Sequence, residues 1–475
     1  MRLVRVLRLL LLATGIVLAG LSASASAAER PNVLFIVADD LNCDLGCYGH
    51  KVVQTPNVDR LATTGVRFER AYCNYPVCNA SRTSFLSGRR PDSTGVFANG
   101  TNPRVKLGDD FQFMPEYFHA QGYFTAGIGK IAHGGFPKSI SWDVQTDPQQ
   151  DDDEESPGTR TARRKSQKQA TKSAKDKVDV PFPWYASEND DAEEGDGITA
   201  RKVAKLLEEH KDGPFFIAAG FHKPHVPHGA PKKYFDMYPP EQIVLPDEPE
   251  GHTKLIPPIA NPPRYHPELT AEQRRHIISH YYAAITFMDA QLGVVLEAMD
   301  RLKLWDNTIV VFIGDHGWHL GEHGGFWAKV SLMKESARSP LIVHAPGKQA
   351  AVTSGRMIEY IDLFPTLTEL CQLTPPSGLE GKSFVPLLGD PQQSWKEAAY
   401  SVVSRGKGRR DVTLGRGVYS ERWTYLAWPD GSQQLYDYAA DPHEYRNLAS
   451  DPQYAATVSE MKTLLERAPH STRIE

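Results

Sequence analysis

The sequence predicts an α/β protein with a large mixed, mostly parallel sheet sandwiched by helices and a smaller C-terminal antiparallel sheet domain. Four apolar runs have the continuous Val-, Ile- and Phe-rich composition of central strands that are covered on both faces. Helical stretches lie between these runs, and alternation of strand and helix is typical of a mostly parallel sheet. From about residue 385 the pattern changes to short strands and turns, which indicates the second domain.

The first 27 residues have the layout of a cleaved secretory signal peptide. Three arginines in the first eight residues precede an apolar run over 9–21 and small residues that end at Ala27. A retained membrane anchor is the alternative, but the apolar run is short for a bilayer span. We therefore expect cleavage after Ala27, export to the periplasm or the extracellular space, and no membrane association afterwards.

The overall charge argues against several classes of partner. Removal of the signal peptide takes away three arginines, so the formal charge falls from −5 to −8. A moderately acidic exported protein is a poor candidate for non-specific binding to nucleic acid or to anionic membranes. An anionic substrate would therefore need a local pocket.

Two further regions stand apart from the predicted sheet. We expect a main domain over residues 28–384 and an α+β subdomain over 385–475, with a hairpin around Pro429-Asp430-Gly431. Residues 147–180 carry an acidic block and then a basic block with almost no apolar residues, which predicts a disordered surface insertion. A tether for nucleic acid or polysaccharide is the alternative for this insertion.

Each of the four apolar runs ends in a polar cluster. The clusters are Asp39-Asp40, Lys130 with His133, His222-Lys223 with His225, and Asp315-His316. Ligands of parallel sheets gather beyond the carboxyl ends of the strands, so the clusters predict one shared site. Adjacent aspartates repel each other and need a cation or strong donors nearby. Carboxylate ligands favour calcium or magnesium, and the histidine leaves zinc or manganese open.

Cys78 lies in the segment "YPVCNASRTSFLSGRRP", in a loop that runs into a predicted helix. A lone cysteine is usually a small buried residue or half of a disulfide. The chain has five cysteines, and their odd number leaves at least one unpaired or chemically modified. A nucleophile near a helix N-terminus favours anion binding, and cationic side chains around it stabilise developing negative charge.

The chain resembles the formylglycine-dependent sulfatases, and most of all their iduronate-2-sulfatase-like branch. Residues 78–82, "CNASR", match the pattern C-x-P/A-S-R in which the cysteine is oxidised to formylglycine. Position 80 is alanine in this chain, whereas proline is commoner there in the family. The family pattern tolerates alanine at this position. The motifs that carry the resemblance occur in the family's order: "PNVLFIVADDL", "CNASR", "GKIAH", "GFHKPHVP", "GDHGWHLGEHGGFWAK" and "LYDYAADPHEYRNLASDP".

The resemblance implies an alkaline-phosphatase-like fold and a role for each site residue. Asp39, Asp40, Asp315 and His316, together with Cys78, would hold one calcium ion. Cys78 would be converted to formylglycine by a formylglycine-generating maturation enzyme and would then attack sulfur. Arg82 would steady the formylglycine. Lys130, His225 and Lys329 would contact sulfate oxygens or assist the leaving oxygen, and His133 would take the proton whose removal lets sulfate depart.

The implied function is hydrolysis of sulfate esters, exo-acting on a sulfated carbohydrate such as a glycosaminoglycan or another sulfated polysaccharide. Two alternatives remain open at this point. One is a phosphate ester or phosphonate hydrolase of the same superfamily, which the metal cluster alone would allow. The other is a non-catalytic protein that binds sulfated glycans.

Overall fold

The computed structural model describes residues 30–133, 136, 139–148, 178–405 and 413–468. The predicted signal peptide and almost all of the predicted insertion therefore lie outside the described residues. The strands are β1 Asn32–Asp39, β2 Val66–Tyr72, β3 Phe124–Gly129, β4 Val144–Thr146, β5 Trp184–Ser187, β6 Phe215–Pro224, β7 His228–Pro231, β8 Thr308–Gly314, β9 His319–Leu320, β10 Trp327–Ala328, β11 Leu341–His344, β12 Val352–Glu359, β13 Ala399–Arg405, β14 Thr413–Tyr419, β15 Trp423–Ala427 and β16 Gln433–Asp437.

The main sheet has eight strands in the order β12-β2-β11-β8-β1-β6-β3-β4. β1 pairs in parallel with both β6 and β8, and β3 pairs in parallel with β6 and β4. β11 is antiparallel to its neighbours β8 and β2, and β12 is parallel to β2. The sheet is therefore mixed and mostly parallel, and the predicted fold class is confirmed.

Helices cover both faces of this sheet. The α-helices of the described residues are α1 Pro56–Ala62, α2 Cys78–Ser87, α3 Pro91–Thr94, α4 Arg104–Leu107, α5 Met114–Ala120, α6 Gly195–Glu209, α7 Lys232–Phe235, α8 Ala271–Leu302, α9 Glu322–Gly325, α10 Lys334–Ala337, α11 Leu363–Leu370, α12 Val385–Gly389 and α13 Ala455–Glu466.

The central strand β1 contributes to two separate hydrophobic cores. Leu34 and Ile36 pack in the core that contains residues of α6 and α8. Val33 and Phe35 pack in the core that contains residues of α2, α5 and α11. Successive side chains of a strand point to opposite faces, so this division places one helical layer on each side of the sheet. All eight residues of β1 are buried, and the six from Val33 to Ala38 are apolar, as expected of a strand covered on both faces.

The C-terminal part contains a four-stranded antiparallel sheet, β13-β14-β15-β16. The hairpin between β15 and β16 encloses the Pro429-Asp430-Gly431 turn, and Gly431 adopts the left-handed conformation with φ of 86°. α13 packs on this sheet through Met461 and Leu465. The exact division of the chain at residue 384 stays a prediction.

Within the described residues, no helix combines the length and the apolar character needed to cross a membrane. The five cysteines are all free thiols in the structure.

A buried ion-pair network connects β12 to the loop that precedes α3. Glu359 is 1% exposed and pairs with Arg90 and with Lys396, whose Nζ lies 2.8 Å from Glu359 Oε2. Removing one partner of a buried pair leaves an uncompensated charge. We expect Glu359→Ala to lower the free energy of unfolding by about 3–5 kcal/mol, measured by urea denaturation.

The matched control for this prediction is an exposed pair. Arg60 and Asp300 lie 2.6 Å apart, with side chains 41% and 44% exposed. Because water screens such pairs, Asp300→Ala should cost less than about 1 kcal/mol. Equal effects of Glu359→Ala and Asp300→Ala would contradict the assignment of Glu359 as a buried electrostatic link.

Candidate active site

The four strands that end in polar clusters are neighbours in the sheet. Their order is β8-β1-β6-β3, and all four are parallel, so their carboxyl ends meet at one edge. Asp39 ends β1, and Asp40 follows it with a φ of 62°, in the left-handed region. Lys130 follows β3 directly, and Asp315 follows β8. The strand ends therefore deliver both anionic and cationic side chains to one place.

Cys78 is the first residue of α2 and is fully buried. Its sulfur accepts a hydrogen bond from Lys329 Nζ at 2.8 Å and lies 3.9 Å from Asp40 Oδ1. Backbone N–H groups at a helix N-terminus stabilise a negative charge or an anion. The side chain at position 78 thus projects from a helix N-terminus into the group of carboxylates and lysines.

Arg82 lies one turn further along α2 and is also fully buried. Its Nε donates to Asp315 Oδ2 at 2.9 Å, and its Nη2 lies 3.2 Å from Asp39 Oδ1. Its Nη1 donates to the backbone carbonyl of Lys130. The planar guanidinium can satisfy several acceptors in fixed geometry. Arg82 therefore ties α2 to the ends of β1, β3 and β8.

Cationic side chains surround the two adjacent aspartates. Lys130 Nζ pairs with Asp39, and Lys329 Nζ lies 2.5 Å from Asp40 Oδ1. His225 Nε2 lies 3.7 Å from Asp40 Oδ2 and 4.0 Å from Asp39 Oδ2. These cations lie where they offset the repulsion between the aspartates, and they could also contact an anionic substrate.

The charges of the site shift its titratable groups. Burial and the charge of Asp39 would raise the pKa of Cys78, but Lys329, Lys130 and a hydrogen bond with His133 hold that pKa well below its usual value. Burial would likewise raise the pKa of Asp39, yet Lys130 and the other cations keep it well below the usual range. Both shifts indicate a site that stabilises negative charge.

Four side chains present donor atoms that could bind a metal ion. One donor atom from each lies within 4.8 Å of the others, and the side chains are Asp39, Asp40, Cys78 and His316. Asp40 Oδ2 and His316 Nε2 are buried and have no hydrogen-bond partner among the described residues. Buried polar atoms are normally paired, so these two atoms fit a bound cation. The carboxylate oxygens suit a hard ion such as calcium.

Asp315 lies beside this group, and hydrogen bonds occupy both of its oxygens. Its Oδ1 accepts from the backbone N–H groups of Asp40 at 2.9 Å and of His316 at 3.0 Å, while Oδ2 accepts from Arg82. Asp315 Oδ1 is 3.6 Å from His316 Nε2, but Asp315 does not belong to the group of four whose donor atoms lie within 4.8 Å of one another. Its role as a metal ligand stays a prediction.

Not every residue of the polar clusters takes part in this arrangement. His133 is half-buried, its interaction with Cys78 lowers the pKa of that thiol, and its buried Nδ1 has no hydrogen-bond partner in the described part of the chain. His222, in contrast, bonds to Asp147 at 3.0 Å, and Lys223 Nζ donates to the carbonyl of Pro227 at 2.8 Å. The third cluster therefore contributes His225 to the site, while its other two members bond elsewhere.

Two aromatic residues that were not predicted from the sequence also support the site. Tyr281 of α8 donates from its hydroxyl to the carbonyl of Asp40 at 2.7 Å and accepts from the N–H of Asn42 at 3.0 Å. Lys329 Nζ lies 5.7 Å from the centre of the Trp318 ring. Tyr281 holds the left-handed backbone of Asp40, and Trp318 supports the lysine. Trp318 lies inside the "GDHGWHLGEHGGFWAK" motif, whereas no sequence signal marks Tyr281.

Comparison with known proteins identifies the family. A model of the family described as "Sulfatase" matches residues 31–373. The chain belongs to the sulfatase family. A second model, described as "N-sulphoglucosamine sulphohydrolase, C-terminal", matches residues 321–471 of this sulfatase. The protein is therefore a sulfuric ester hydrolase, and the enzyme class predicted from the sequence is confirmed.

Individual relatives agree with this assignment. The sulfatase is 34% identical to iduronate 2-sulfatase of Mus musculus over 74% of this chain and 70% of that protein. The predicted resemblance to the iduronate-2-sulfatase-like branch is therefore confirmed. It superposes with a TM-score of 0.75 on a protein solved in complex with its substrate D-glucosamine-2-N,6-O-disulfate, at 20% identity over 92% and 97% of the two chains. It superposes on the phosphonate monoester hydrolase of Agrobacterium radiobacter with a TM-score of 0.77. The two are 24% identical over 93% of this chain and 96% of that chain. These two structures support the alkaline-phosphatase-like fold alone.

Proposed function

We propose that this sulfatase removes sulfate from sulfated carbohydrates with a formylglycine made from Cys78 and one calcium ion. The observation that carries the proposal is the position of Cys78. Its buried side chain projects from the N-terminus of α2, 2.8 Å from Lys329 Nζ and next to the donor atoms of Asp39, Asp40 and His316. A buried cysteine with no catalytic part to play needs neither this cation nor these carboxylates.

Asp39, Asp40, Asp315 and His316 would hold the calcium ion, with the modified residue 78 as a further ligand. A bound divalent cation polarises an oxygen of the substrate and favours the ionised form of a nearby nucleophile. Formylglycine would supply a hydrated aldehyde with two hydroxyls. One hydroxyl would lose its proton and bond to sulfur while the bond from sulfur to the alcohol oxygen breaks and that oxygen takes up a proton. Loss of the proton of the other hydroxyl would then re-form the aldehyde and break the carbon–oxygen bond to sulfate. A maturation enzyme that generates formylglycine is then a required partner of the chain.

The remaining residues of the site bind charge and move protons. Lys130, Lys329 and His225 lie around the aspartates, where they would contact sulfate oxygens or protonate the leaving oxygen. His133, whose interaction with Cys78 lowers the pKa of that side chain, would take the proton of the second hydroxyl. Arg82 bonds to Asp39 and Asp315 and would keep α2, and thus residue 78, in register with the metal ligands.

The substrate proposed is a sulfated carbohydrate, cut at the end of a chain. The name of the mouse relative, iduronate 2-sulfatase, supports a 2-O-sulfated uronic acid as the first compound to test. The layout of the first 27 residues supports export, followed by action in the periplasm or outside the cell. Residues 28–384 would form the catalytic domain and residues 385–475 the C-terminal subdomain.

The mass of the peptide that carries residue 78 tests the proposal directly. Protein produced with its maturation enzyme should contain formylglycine at position 78 and should hydrolyse 4-nitrophenyl sulfate. It should have a higher kcat/KM for this compound than for 4-nitrophenyl phosphate or a phenyl phosphonate ester. Unmodified cysteine in fully active protein would refute the formylglycine assignment.

The same assay separates the alternatives. A preference for the phosphorus esters would favour a phosphonate hydrolase, the activity of one of the structural neighbours. Binding of a sulfated glycan without release of sulfate would favour a non-catalytic binder. The intact set of charged residues around Cys78 argues against that second alternative, because binding alone does not require a nucleophile.

A further inference from the structure

A second group of possible metal ligands lies outside the proposed sulfate site. It consists of His319 in β9, His323 in α9 and Glu335 in α10, and one donor atom from each lies within 4.8 Å of the others. His323 Nε2 lies 3.2 Å from Glu335 Oε2. None of the three contributes to the arrangement around Cys78 described above.

The two histidines have unsatisfied nitrogen atoms in a buried environment. Both side chains are 0% exposed. In the ranges that the structure describes, both ring nitrogens of His319 lack a hydrogen-bond partner, and so does Nδ1 of His323. Leaving a buried polar atom unpaired costs about 1–3 kcal/mol. Each neutral imidazole has one nitrogen lone pair, so a bound metal ion would pair one nitrogen on each ring and remove part of this cost.

The backbone that presents His323 has an unusual conformation. His323 has φ of 54° and ψ of 39°, in the left-handed region, and Gly321 and Gly324 beside it also have positive φ. A non-glycine residue in this region costs of order 1–3 kcal/mol and often marks a functional position. Phe326 packs against both imidazole rings, with centroid distances of 5.5 Å to His319 and 5.4 Å to His323. This packing holds the two rings near each other.

Of the three residues, Glu335 borders a neighbouring cavity. The cavity has a volume of about 660 Å³, and Asp44, Glu322 and Glu335 are among the residues that line it. Glu322 Oε2 lies 3.5 Å from His319 Nδ1. Lys334 and Arg338 also line the cavity and offset part of the negative charge of its carboxylates, and the open volume leaves room for a water molecule as a further ligand.

We propose that His319, His323 and Glu335 form a binding site for a zinc ion, with water from the cavity as the fourth ligand. Two imidazole nitrogens and one carboxylate oxygen are a ligand set that zinc accepts in tetrahedral sites. Ligand atoms of tetrahedral zinc are roughly 3.4 Å apart, given bonds of about 2.0–2.1 Å. The three donor atoms lie within 4.8 Å of one another, and small side-chain rotations would bring them to that spacing. The site differs in chemistry from the carboxylate-rich calcium site.

Zinc at this position would connect two parts of the segment between His316 and Arg338. It would link the strained turn at 319–325 to α10, and the turn leads directly to β10 and Lys329. An ion that binds only the folded protein stabilises it in proportion to its saturation. The zinc site would therefore stabilise the region that positions Lys329.

The test uses full-length mature protein stripped with chelator and then saturated with calcium, so that the sulfate site is occupied. Titration with zinc chloride, followed by calorimetry and by elemental analysis after gel filtration, should give one tightly bound zinc per chain. Zinc-edge X-ray absorption should give nitrogen and oxygen ligands with two imidazoles. His319→Gln and Glu335→Gln should each weaken binding by at least about tenfold, because removing even an outer hydrogen-bond partner of a ligand costs about 10–100-fold.

Two further variants separate zinc binding at this site from zinc binding elsewhere on the protein. His443→Ala removes an exposed histidine at the same cavity and should bind zinc like the wild type. Asp40→Asn disrupts the proposed calcium site and should also retain zinc, so failure of the sulfatase proposal would leave this one intact. The proposal is overturned if the wild type binds no zinc under these conditions, or if its absorption spectrum lacks two imidazole ligands. Unchanged affinity in His319→Gln overturns it equally.

Discussion

Replacement of Cys78 by serine is expected to permit at most one sulfate transfer per enzyme molecule. The serine hydroxyl can lose its proton and bond to sulfur while the bond from sulfur to the alcohol oxygen breaks and that oxygen takes up a proton. The sulfate is then attached to a single ester oxygen. No second hydroxyl is present to expel it, so the variant should stall as a covalent sulfo-serine.

Intact mass measurement after incubation with an aryl sulfate checks this prediction. The Cys78→Ser protein should gain the mass of one SO₃ group and release at most one equivalent of phenol. Cys78→Ala is the matched control, because it keeps the buried environment but has no nucleophile and should show neither effect. Sustained turnover by the serine variant, with residue 78 confirmed as serine by mass, would contradict the mechanism.

Continuous apolar runs allowed the centre of the sheet to be predicted from the sequence. β1, β3, β6 and β8 are buried on both faces, and their sequences contain few polar residues before the final cluster. The remaining strands lack this signal for physical reasons. β2 alternates buried and partly buried residues over Val66–Tyr72, and β11 has only four residues, too few to separate a strand from other apolar segments.

The site followed from the fold class because parallel strands have a common carboxyl edge. The parallel direction of the strands alone predicts that Asp39, Lys130, His225 and Asp315 lie close together, although they are far apart in the sequence. The same argument could not separate His225 from His222. Side-chain direction beyond the end of a strand depends on the local backbone, and His222 lies within the last residues of β6 while His225 follows it.

Other features depend on contacts that no local pattern reports. Tyr281 is one of many buried residues of the long helix α8, and its hydrogen bond to Asp40 exists only in the folded protein. The approach of His319 and His323 to Glu335 requires the left-handed backbone at His323. Positive φ is uncommon for any residue other than glycine, so this contact could not be predicted from the sequence.

The second large effect expected is loss of activity on disruption of the calcium site. Asp315→Ala is a poor choice for this test, because Asp315 pairs with the fully buried Arg82 and its removal would leave that charge uncompensated. Asp40→Asn is preferable, since the side chain keeps its shape and Lys329 can still donate to the amide oxygen. A metal ion contributes several kcal/mol to stabilisation of the transition state, so kcat should fall by about a thousandfold or more.

Calcium binding provides the readout that separates this effect from misfolding. Wild-type protein stripped with chelator should regain activity and gain thermal stability on addition of calcium, whereas Asp40→Asn should gain neither at the same concentration. Asp289→Asn is the matched control, because Asp289 is a buried carboxyl that bonds to the backbone of Asn57 and Val58, away from the proposed ligands. That variant should respond to calcium like the wild type. Full activity of chelator-stripped protein would rule out the metal requirement. Hydrogen bonds and cationic side chains alone would then balance the charge of the aspartates.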